Sequence, residues 1–432
     1  MILLGAGSSV PFGIPGMEGF VTRFLNQGIL LWPDLNECVN SIKGAIDESV
    51  TAIGFRLTFD LETLLAVLSD LSGDAKKKPI SIPTATLLLK ESLNIEKARL
   101  KYSDKATLTL DRLREFIFSE CMQPIENGKE KGNFGTLDWF YGPLMTLLNR
   151  TGLENIQAPL RNIYSTNWDL CFKTWMDYTN TPISDGVGID KQSFPVFDVT
   201  EFDRDATRTK YVALHGSLDL VGVSRPKGSG IYRDIQKISD PLGYFQGKPA
   251  NIRSIFMIYP LEAVGYEESV KSPYLDLLNH FKNALRSEDH IVVIGYSFRD
   301  PTIGSIFEEV IGERIRKGHL RPLSEDLNSR KNEVRNHTMK IIVINPSPEK
   351  LAENMKKQSH ANLLQTFVPI KVRFPEVSDP EFFVNYKLAL SELGKDLEAI
   401  GYLSSDDRLR IAKTLNSRYA QFRTPGENWW GL

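Results

Sequence analysis

Near its start the sequence reads Ile2-Leu3-Leu4-Gly5-Ala6-Gly7-Ser8-Ser9, a short apolar run followed at once by glycines and serines. An apolar run that meets glycines is typical of a strand that turns into a helix, and such a turn lets backbone N–H groups approach a pyrophosphate. The hydroxyls of Ser8 and Ser9 add two donors. The stretch therefore predicts an α/β fold with a phosphate-binding loop after its first strand, and a tight structural turn is the alternative.

Further short apolar runs that lack polar alternation predict the other strands of a parallel sheet with helices on both faces. Helical patterns lie between several of them, such as Tyr274–Leu285 and Pro301–Ile315. This alternation predicts a Rossmann-like, doubly wound parallel sheet of six or seven strands. The predicted strands are Ile163–Ser165, Tyr211–Leu214, Ile255–Ile258, Ile291–Ile294, Ile341–Ile344 and Ile370–Phe374.

The spacing of apolar residues divides the chain of 432 residues into three parts. Spacing of three and four residues after the first strand predicts a large helical insertion, and helical spacing returns after the last strand. We therefore expect a Rossmann-like nucleotide-binding domain formed by residues 1–17 and 150–375. A helical insertion domain at 18–149 and a C-terminal helical extension at 376–432 complete this organisation.

The composition is that of an ordinary soluble globular protein, with 41% hydrophobic and 25% charged residues. Lys and Arg number 52 against 54 Asp and Glu, so the chain has no overall field that attracts nucleic acid or anionic lipid. The three cysteines lack paired spacing, which excludes a Cys₄ zinc site, and no apolar run is long enough to span a bilayer. We expect a cytoplasmic protein without a bound metal, without direct nucleic-acid binding and without a membrane segment.

The glycine loop differs from the fingerprint of dinucleotide-dependent dehydrogenases. The third glycine of that fingerprint would fall at position 10, where this chain has Val10. No acidic residue follows at the end of a second strand about 20 positions later. Hydride transfer is therefore disfavoured.

Five sequence motifs each lie at the end of a predicted strand. Because ligands of open parallel sheets bind beyond the carboxyl ends of the strands, one pocket is expected to collect all five. The motifs are Gly5–Ser8 with Gly13–Pro15, Tyr164–Asp169, His215-Gly216, Gly295–Ser297 and Asn345. In this order they resemble the motifs of sirtuins, where the second is similar to Thr-x-Asn-x-Asp and the fourth to a Gly-x-Ser turn. The resemblance covers residues 1–16 and about 160–350.

Two departures from deacylase sirtuins narrow this resemblance. Their signature loop continues Asp-Phe-Arg, whereas this chain has Gly16-Met17-Glu18, and their four-cysteine zinc module is missing because 217–260 contains no cysteine. The stretch Gly295-Tyr296-Ser297-Phe298-Arg299-Asp300-Pro301 resembles the Gly-Tyr-Ser-Phe-x-Asp-Pro of zinc-free, sirtuin-like NAD-cleaving domains of bacterial anti-phage defence systems. The resemblance implies NAD⁺ as the substrate.

Cleavage of the nicotinamide–ribose bond passes through an oxocarbenium-like ribose, so the site must orient the substrate, stabilise positive charge and place a water. We expect Asn167 to form hydrogen bonds with the nicotinamide ribose and the attacking water, because an amide both donates and accepts. Asp169 would position the ribose or the carboxamide. His215 would act as general base. The residues expected to contact the nucleotide are Gly5, Ala6, Gly7, Ser8, Ser9, Pro15, Thr166, Gly216, Gly295, Ser297 and Asn345.

Structural roles stand beside these functional ones. Thr166–Asp169 would also suit an Asx-type turn that caps the next helix. Asp300 and Pro301 most simply begin a helix as its N-cap and first residue. Asp60 and Glu62 would serve the dipole of a helix in the insertion, or face the cleft.

The expected function is NAD⁺ hydrolysis to nicotinamide and ADP-ribose, in a gated effector of anti-phage defence. The alternatives are an NAD-dependent protein deacylase or ADP-ribosyltransferase, and a non-catalytic subunit that binds NAD or ADP-ribose. The helical insertion is the expected gate or oligomer contact. The resemblance also implies a homo-oligomer and a partner, either a DNA-translocating ATPase ring or an Argonaute-like protein, and Trp429-Trp430 would dock a partner or pack internally.

Overall fold

The computed structural model describes the residues 1–31, 38–44, 59–72, 84–85, 87–88, 95–130, 134–149, 162–190, 193–205, 208–227, 230–245, 255–257, 273–337, 339–357 and 360–419. Its strands are β1 Ile2–Leu4, β2 Asn162–Ser165, β3 Ile183–Ser184, β4 Val187–Ile189, β5 Pro195–Phe197, β6 Thr209–Ala213, β7 Gly216–Lys227, β8 Gly230–Lys237, β9 Ile255–Met257, β10 His290–Ile294, β11 Lys340–Asn345 and β12 Phe367–Lys371.

The described residues also form helices, which lie between and after these strands in the sequence. They are α1 Met17–Leu31, α2 Leu61–Leu71, α3 Ile95–Glu130, α4 Gly135–Leu148, α5 Cys171–Tyr178, α6 Glu201–Arg204, α7 Pro241–Phe245, α8 Tyr274–Ser287, α9 Pro301–Arg316, α10 Arg330–Glu333, α11 Pro348–Lys357, α12 Ala361–Thr366, α13 Phe382–Ala399 and α14 Ser405–Arg418. Among the described residues, no helix has the length and apolar character needed to cross a membrane.

A parallel sheet forms the centre of the structure. Within the described ranges it has seven strands in the order β12-β11-β10-β1-β2-β6-β3, and every neighbouring pair is parallel. The predicted doubly wound sheet is therefore confirmed. The chain winds outward from β1 in both directions, so the switch point of the topology lies between β1 and β10.

Alternate residues of the strands point to opposite faces, and helices cover both. On β1, Ile2 and Leu4 join the cluster formed with α1–α5, α13 and α14, whereas Leu3 joins the cluster formed with α8, α9, α11 and α12. This double burial explains why the strands are apolar without alternation. One hydrophobic cluster contains residues of the insertion, of one sheet face and of the C-terminal helices, so these three parts pack against each other. The proposed domain boundaries stay a prediction.

The segment Ile255–Ile258 was expected in the parallel sheet, and this expectation is wrong. The observed strand β9 pairs antiparallel with β7, in a second sheet of the order β4-β5-β8-β7-β9 within the described residues. A run of three or four apolar residues carries no information about the strand with which it pairs, and that strand here is β7. Strands β4 and β5 of this sheet precede the His-Gly motif and β7 begins at its glycine, and none of the five strands contains a cysteine.

The last predicted strand, Ile370–Phe374, is displaced along the sequence. The observed strand β12 begins at Phe367, directly after α12 ends at Thr366. Phe367 and Val368 are fully buried and pair with β11. Without a turn residue between helix and strand, the sequence gives no signal for this boundary.

The C-terminal helices dock on the insertion through tyrosine hydroxyls. Tyr386 of α13 donates to the carbonyl oxygen of Phe140, and Tyr402 donates to that of Leu148 at 2.7 Å. Both acceptors belong to α4, the last helix of the insertion. The pair Trp429-Trp430 lies outside the described residues.

The loops after β1 and β10 contact each other through their backbones. Gly7 N donates to Gly295 O at 2.9 Å, and Gly295 adopts φ +63°. A Cβ on Gly295 would lie 2.6 Å from the carbonyl carbon of Gly7. Glycine at position 295 is therefore required both by backbone conformation and by the approach of the two loops.

We predict that Gly295→Ala lowers the free energy of unfolding by at least about 2 kcal/mol, because left-handed strain adds to a clash with main-chain atoms that cannot move aside. Chemical denaturation followed by circular dichroism measures this. The matched control is Gly16→Ala, where a Cβ would meet nothing within 4 Å. Equal stabilities of the two variants would show that the loops are not held in this contact.

Candidate active site

The loop after β1 is tied to both neighbouring strands by backbone hydrogen bonds. Gly5 N donates to Ile294 O at 2.9 Å on the β10 side, and Thr166 N donates to Leu4 O at 3.0 Å on the β2 side. Two short 3₁₀ turns, Ala6–Ser8 and Val10–Phe12, then lead to α1. Ser8 and Ser9 are buried whereas Gly7 is exposed. The predicted loop therefore lies at the switch point of the sheet.

Asn167 follows β2 and is held by the serines of that loop. Its Nδ2 donates to Ser8 Oγ at 3.0 Å and to Ser9 Oγ at 2.9 Å, and its backbone N donates to Ser165 Oγ at 3.1 Å. Its side-chain oxygen Oδ1 is buried and has no hydrogen-bond partner among the described residues. A buried acceptor without a partner costs free energy, so this atom is suited to accept a hydrogen bond from a ligand.

Asp169 holds this amide in place indirectly, through Ser9. Its Oδ2 accepts from Ser9 Oγ at 2.6 Å, and its Oδ1 accepts from the backbone N of Cys171 at the start of α5. Burial raises the pKa of this carboxyl, and the hydrogen bonds from Ser9 and Cys171 oppose the rise. Both carboxylate oxygens are thus engaged by the protein, and Asp169 reaches Asn167 through Ser9. The capping turn and the site network coexist.

His215 follows β6 and is paired with an aspartate from another loop. Its Nε2 lies 2.7 Å from Asp300 Oδ2, and the two residues are only 7% and 5% exposed. Asp300 also caps α9, because its Oδ1 accepts from the backbone N of Thr302 and Ile303 with Pro301 as the first helical residue. The predicted cap is confirmed. The contact with His215 was not predicted, although both residues follow strands at the same sheet edge.

The remaining predicted contact residues lie at the ends of the parallel strands or in the loops that follow them. Gly216 adopts φ +78° directly after His215. Thr166 is buried, Ser297 is partly exposed in the loop after β10, and Pro15 is buried ahead of α1. Asn345 ends β11, two strands from β1, where its Oδ1 accepts from Ser347 N at 2.8 Å.

Comparison with known families agrees with this geometry. Residues 161–344 match the family model described as SIR2-like domain. The chain contains a SIR2-like domain. A domain of this family implies use of NAD⁺, and the matched range includes Asn167, Asp169, His215 and Asp300. No curated protein matches the chain.

The glycine loop and the helical insertion lie outside the matched range, yet both contribute to the SIR2-like site. The loop supplies Ser8 and Ser9 to Asn167, as described above. From the insertion, Asp60 caps α2 by accepting from Thr63 N, and its Oδ2 lies 2.7 Å from Arg299 Nη1. The insertion is thereby joined to the residue next to Asp300.

Glu62 lies in the first turn of the same helix, α2. Burial, together with the negative charges of Asp60 and Asp300, raises the pKa of its carboxyl to about 8 against the opposing positive charge of Arg299. The expected helix-dipole role of Asp60 and Glu62 is therefore accompanied by proximity to the site. Within the described ranges, no three His, Cys, Asp or Glu side chains form a group that could hold a metal ion.

The raised pKa of Glu62 predicts a pH dependence of stability. Because the folded-state value of about 8 lies above the ordinary 4.5, the folded protein retains a proton that the unfolded chain loses, and stability falls as pH rises through this window. Glu62→Gln removes this titration. The stability of the variant relative to the wild type should therefore increase from pH 4.5 to pH 8.

Urea denaturation across this pH range measures the effect. Glu18→Gln is the matched control, because Glu18 is also in the first turn of a helix but is exposed. A difference between wild type and Glu62→Gln that stayed constant with pH would show that the carboxyl of Glu62 titrates as it does in water.

Proposed function

We propose that this protein hydrolyses NAD⁺ at the nicotinamide–ribose bond and releases nicotinamide and ADP-ribose. The observation that supports this most directly is the side chain of Asn167, whose donor is fixed by Ser8 and Ser9 and whose buried acceptor Oδ1 has no partner among the described residues. It occupies the carboxyl end of β2 beside the glycine loop, where a dinucleotide binds in open parallel sheets.

The arrangement of Asn167 suits the place of the reacting ribose. A buried amide oxygen accepts from a ribose hydroxyl or from the attacking water, and either interaction orients the groups for displacement of nicotinamide. Two serine hydroxyls hold the amide nitrogen, so the side chain cannot turn its donor toward the substrate without losing both bonds. Asp169 keeps Ser9 in position and acts on the substrate through this network.

His215 supplies the base of the proposed reaction. It is nearly buried at the end of β6, two strands from β1, and one ring nitrogen is held by Asp300. The other nitrogen can take a proton from a ribose hydroxyl or from water as the bond to nicotinamide breaks. In this proposal Asn167 orients the reacting groups and His215 transfers the proton.

Deacylation of proteins is the less favoured reaction for this SIR2-like domain. The segment 217–260 contains no cysteine for a four-cysteine zinc module, and its described part forms strands of the antiparallel sheet and the short helix α7. Transfer of ADP-ribose to a protein and binding of NAD without turnover are distinguished by product analysis with labelled NAD⁺. Label on protein would support the first, and bound but intact NAD⁺ the second.

The biological setting of the proposal is a gated effector that depletes NAD in the cytoplasm during phage infection. The similarity of Gly295–Pro301 to the turn of zinc-free defence domains supports it. On the same resemblance the protein assembles into a homo-oligomer with a DNA-translocating ATPase ring or an Argonaute-like partner. The contact between Asp60 and Arg299 offers the insertion a direct path to the site for such gating.

We predict that wild-type protein, with its activator where one is required, releases nicotinamide from NAD⁺, and that Asn167→Ala and His215→Ala each slow the release by at least about 100-fold. Chromatography of the products measures it. The matched controls are Asn328→Ala and His319→Ala, which change the same residue types at exposed positions. Full turnover in either site variant would remove that residue from the reaction.

A further inference from the structure

The two carboxylate oxygens of Asp300 have separate tasks. Oδ1 accepts from the backbone N–H groups of Thr302 at 2.8 Å and Ile303 at 3.2 Å, which fixes the carboxylate at the N-terminus of α9. Oδ2 is left facing His215 Nε2 at 2.7 Å. The helix cap therefore determines which oxygen meets the imidazole, and neither partner is exposed by more than a few per cent.

This contact has a chemical consequence for the imidazole. A carboxylate oxygen can only accept a hydrogen bond, so the ring nitrogen that faces it carries the hydrogen. In the neutral ring of His215 the acceptor must then be Nδ1. We propose that Asp300 is a positioning residue that sets the tautomer of His215 and makes Nδ1 the atom that takes the proton. The inference rests on the proposed hydrolysis only for its effect on turnover.

The loop that carries Asp300 is anchored on both sides, as such a role requires. Phe298 is fully buried at φ +56°, a conformation that is rare for a bulky residue, and its ring packs on Tyr296 and Phe307. Arg299 is tied to Asp60 of the insertion at 2.7 Å. The backbone strain is maintained by these contacts, and strain of this kind is concentrated at functional loops.

The contact between His215 and Asp300 also links the insertion to the proposed base. The path runs from the N-terminus of α2 through Asp60 and Arg299 to Asp300 and then to His215, with one hydrogen-bonded contact at each non-covalent step. The family match covers 161–344 and does not include Asp60. The N-terminus of α2 and the imidazole of His215 are therefore joined by an unbroken series of contacts.

Asp300→Asn is the decisive variant, because asparagine is an equally good N-cap of the same size. Its Oδ1 keeps the bonds from Thr302 and Ile303, so its Nδ2 replaces the carboxylate oxygen at His215. An amide nitrogen donates, and His215 Nε2 must then accept, which moves the hydrogen to Nδ1. We expect the ring ¹⁵N shifts of His215 to exchange their pattern, and kcat for nicotinamide release to fall by at least about 100-fold with little change in KM.

A second variant and two controls keep the test decisive. Asp300→Ser preserves a capping hydroxyl but leaves Nε2 without its carboxylate, so His215 should show a mixture of tautomers. His215→Ala identifies the His215 signals. Asp198→Asn is the matched control, because Asp198 accepts from Thr200 N in an exposed turn and contacts no histidine among the described residues.

The possible outcomes separate this inference from the proposed function. An unchanged His215 tautomer in Asp300→Asn overturns the inference, even if activity falls, because the loss would then come from the helix cap. An exchanged tautomer with full turnover also overturns the assignment of Nδ1 as the base. If wild-type protein releases no nicotinamide, the NMR experiment still decides whether Asp300 sets the tautomer, while the hydrolase proposal fails alone.

Discussion

The contact between the backbones of Gly7 and Gly295 is the constraint on which the site depends. It joins the loop after β1 to the loop after β10 across the switch point, and neither residue can carry a side chain there without a clash. The first loop carries Ser8 and Ser9, and the second carries Asp300. Bringing the glycines together therefore places Ser8 and Ser9, which hold Asn167, next to the loop that carries Asp300, the partner of His215.

Two hydrogen-bonded networks lie at this edge of the sheet, and they hold different side chains. Asp169, Ser9 and Asn167 form a buried polar chain that ends in an acceptor with no partner in the part of the protein that the structure describes. Asp300 and His215 form a pair whose carboxylate is oriented by a helix cap. Networks that are satisfied at all but one atom are rigid, and the remaining atom defines where a polar ligand gains most by binding.

The helical insertion belongs to the same structural unit as the sheet. Its helices share a hydrophobic cluster with one sheet face and with α13 and α14, so they fold against the strands. At the site, Asp60 contacts Arg299, and Glu62 lies close enough to Asp60 and Asp300 for their charges to raise its pKa. A segment outside the family match thus contributes charged groups close to Asp300, the partner of the proposed base.

The sequence by itself determined the parallel sheet and the loop after β1, because apolar runs without alternation and glycines after a strand are local patterns. It also put Asn167, Asp169 and His215 after strands, where the structure has them, while their roles stay a prediction. It could not assign β9 to the antiparallel sheet, since strand partners depend on contacts distant in the chain. It predicted Asp300 as a helix cap, which is a local property, and missed its contact with His215. Only the tertiary structure decided that contact, because 85 positions separate the two residues and hydrogen bonding between them requires the sheet to bring β6 and β10 to one edge.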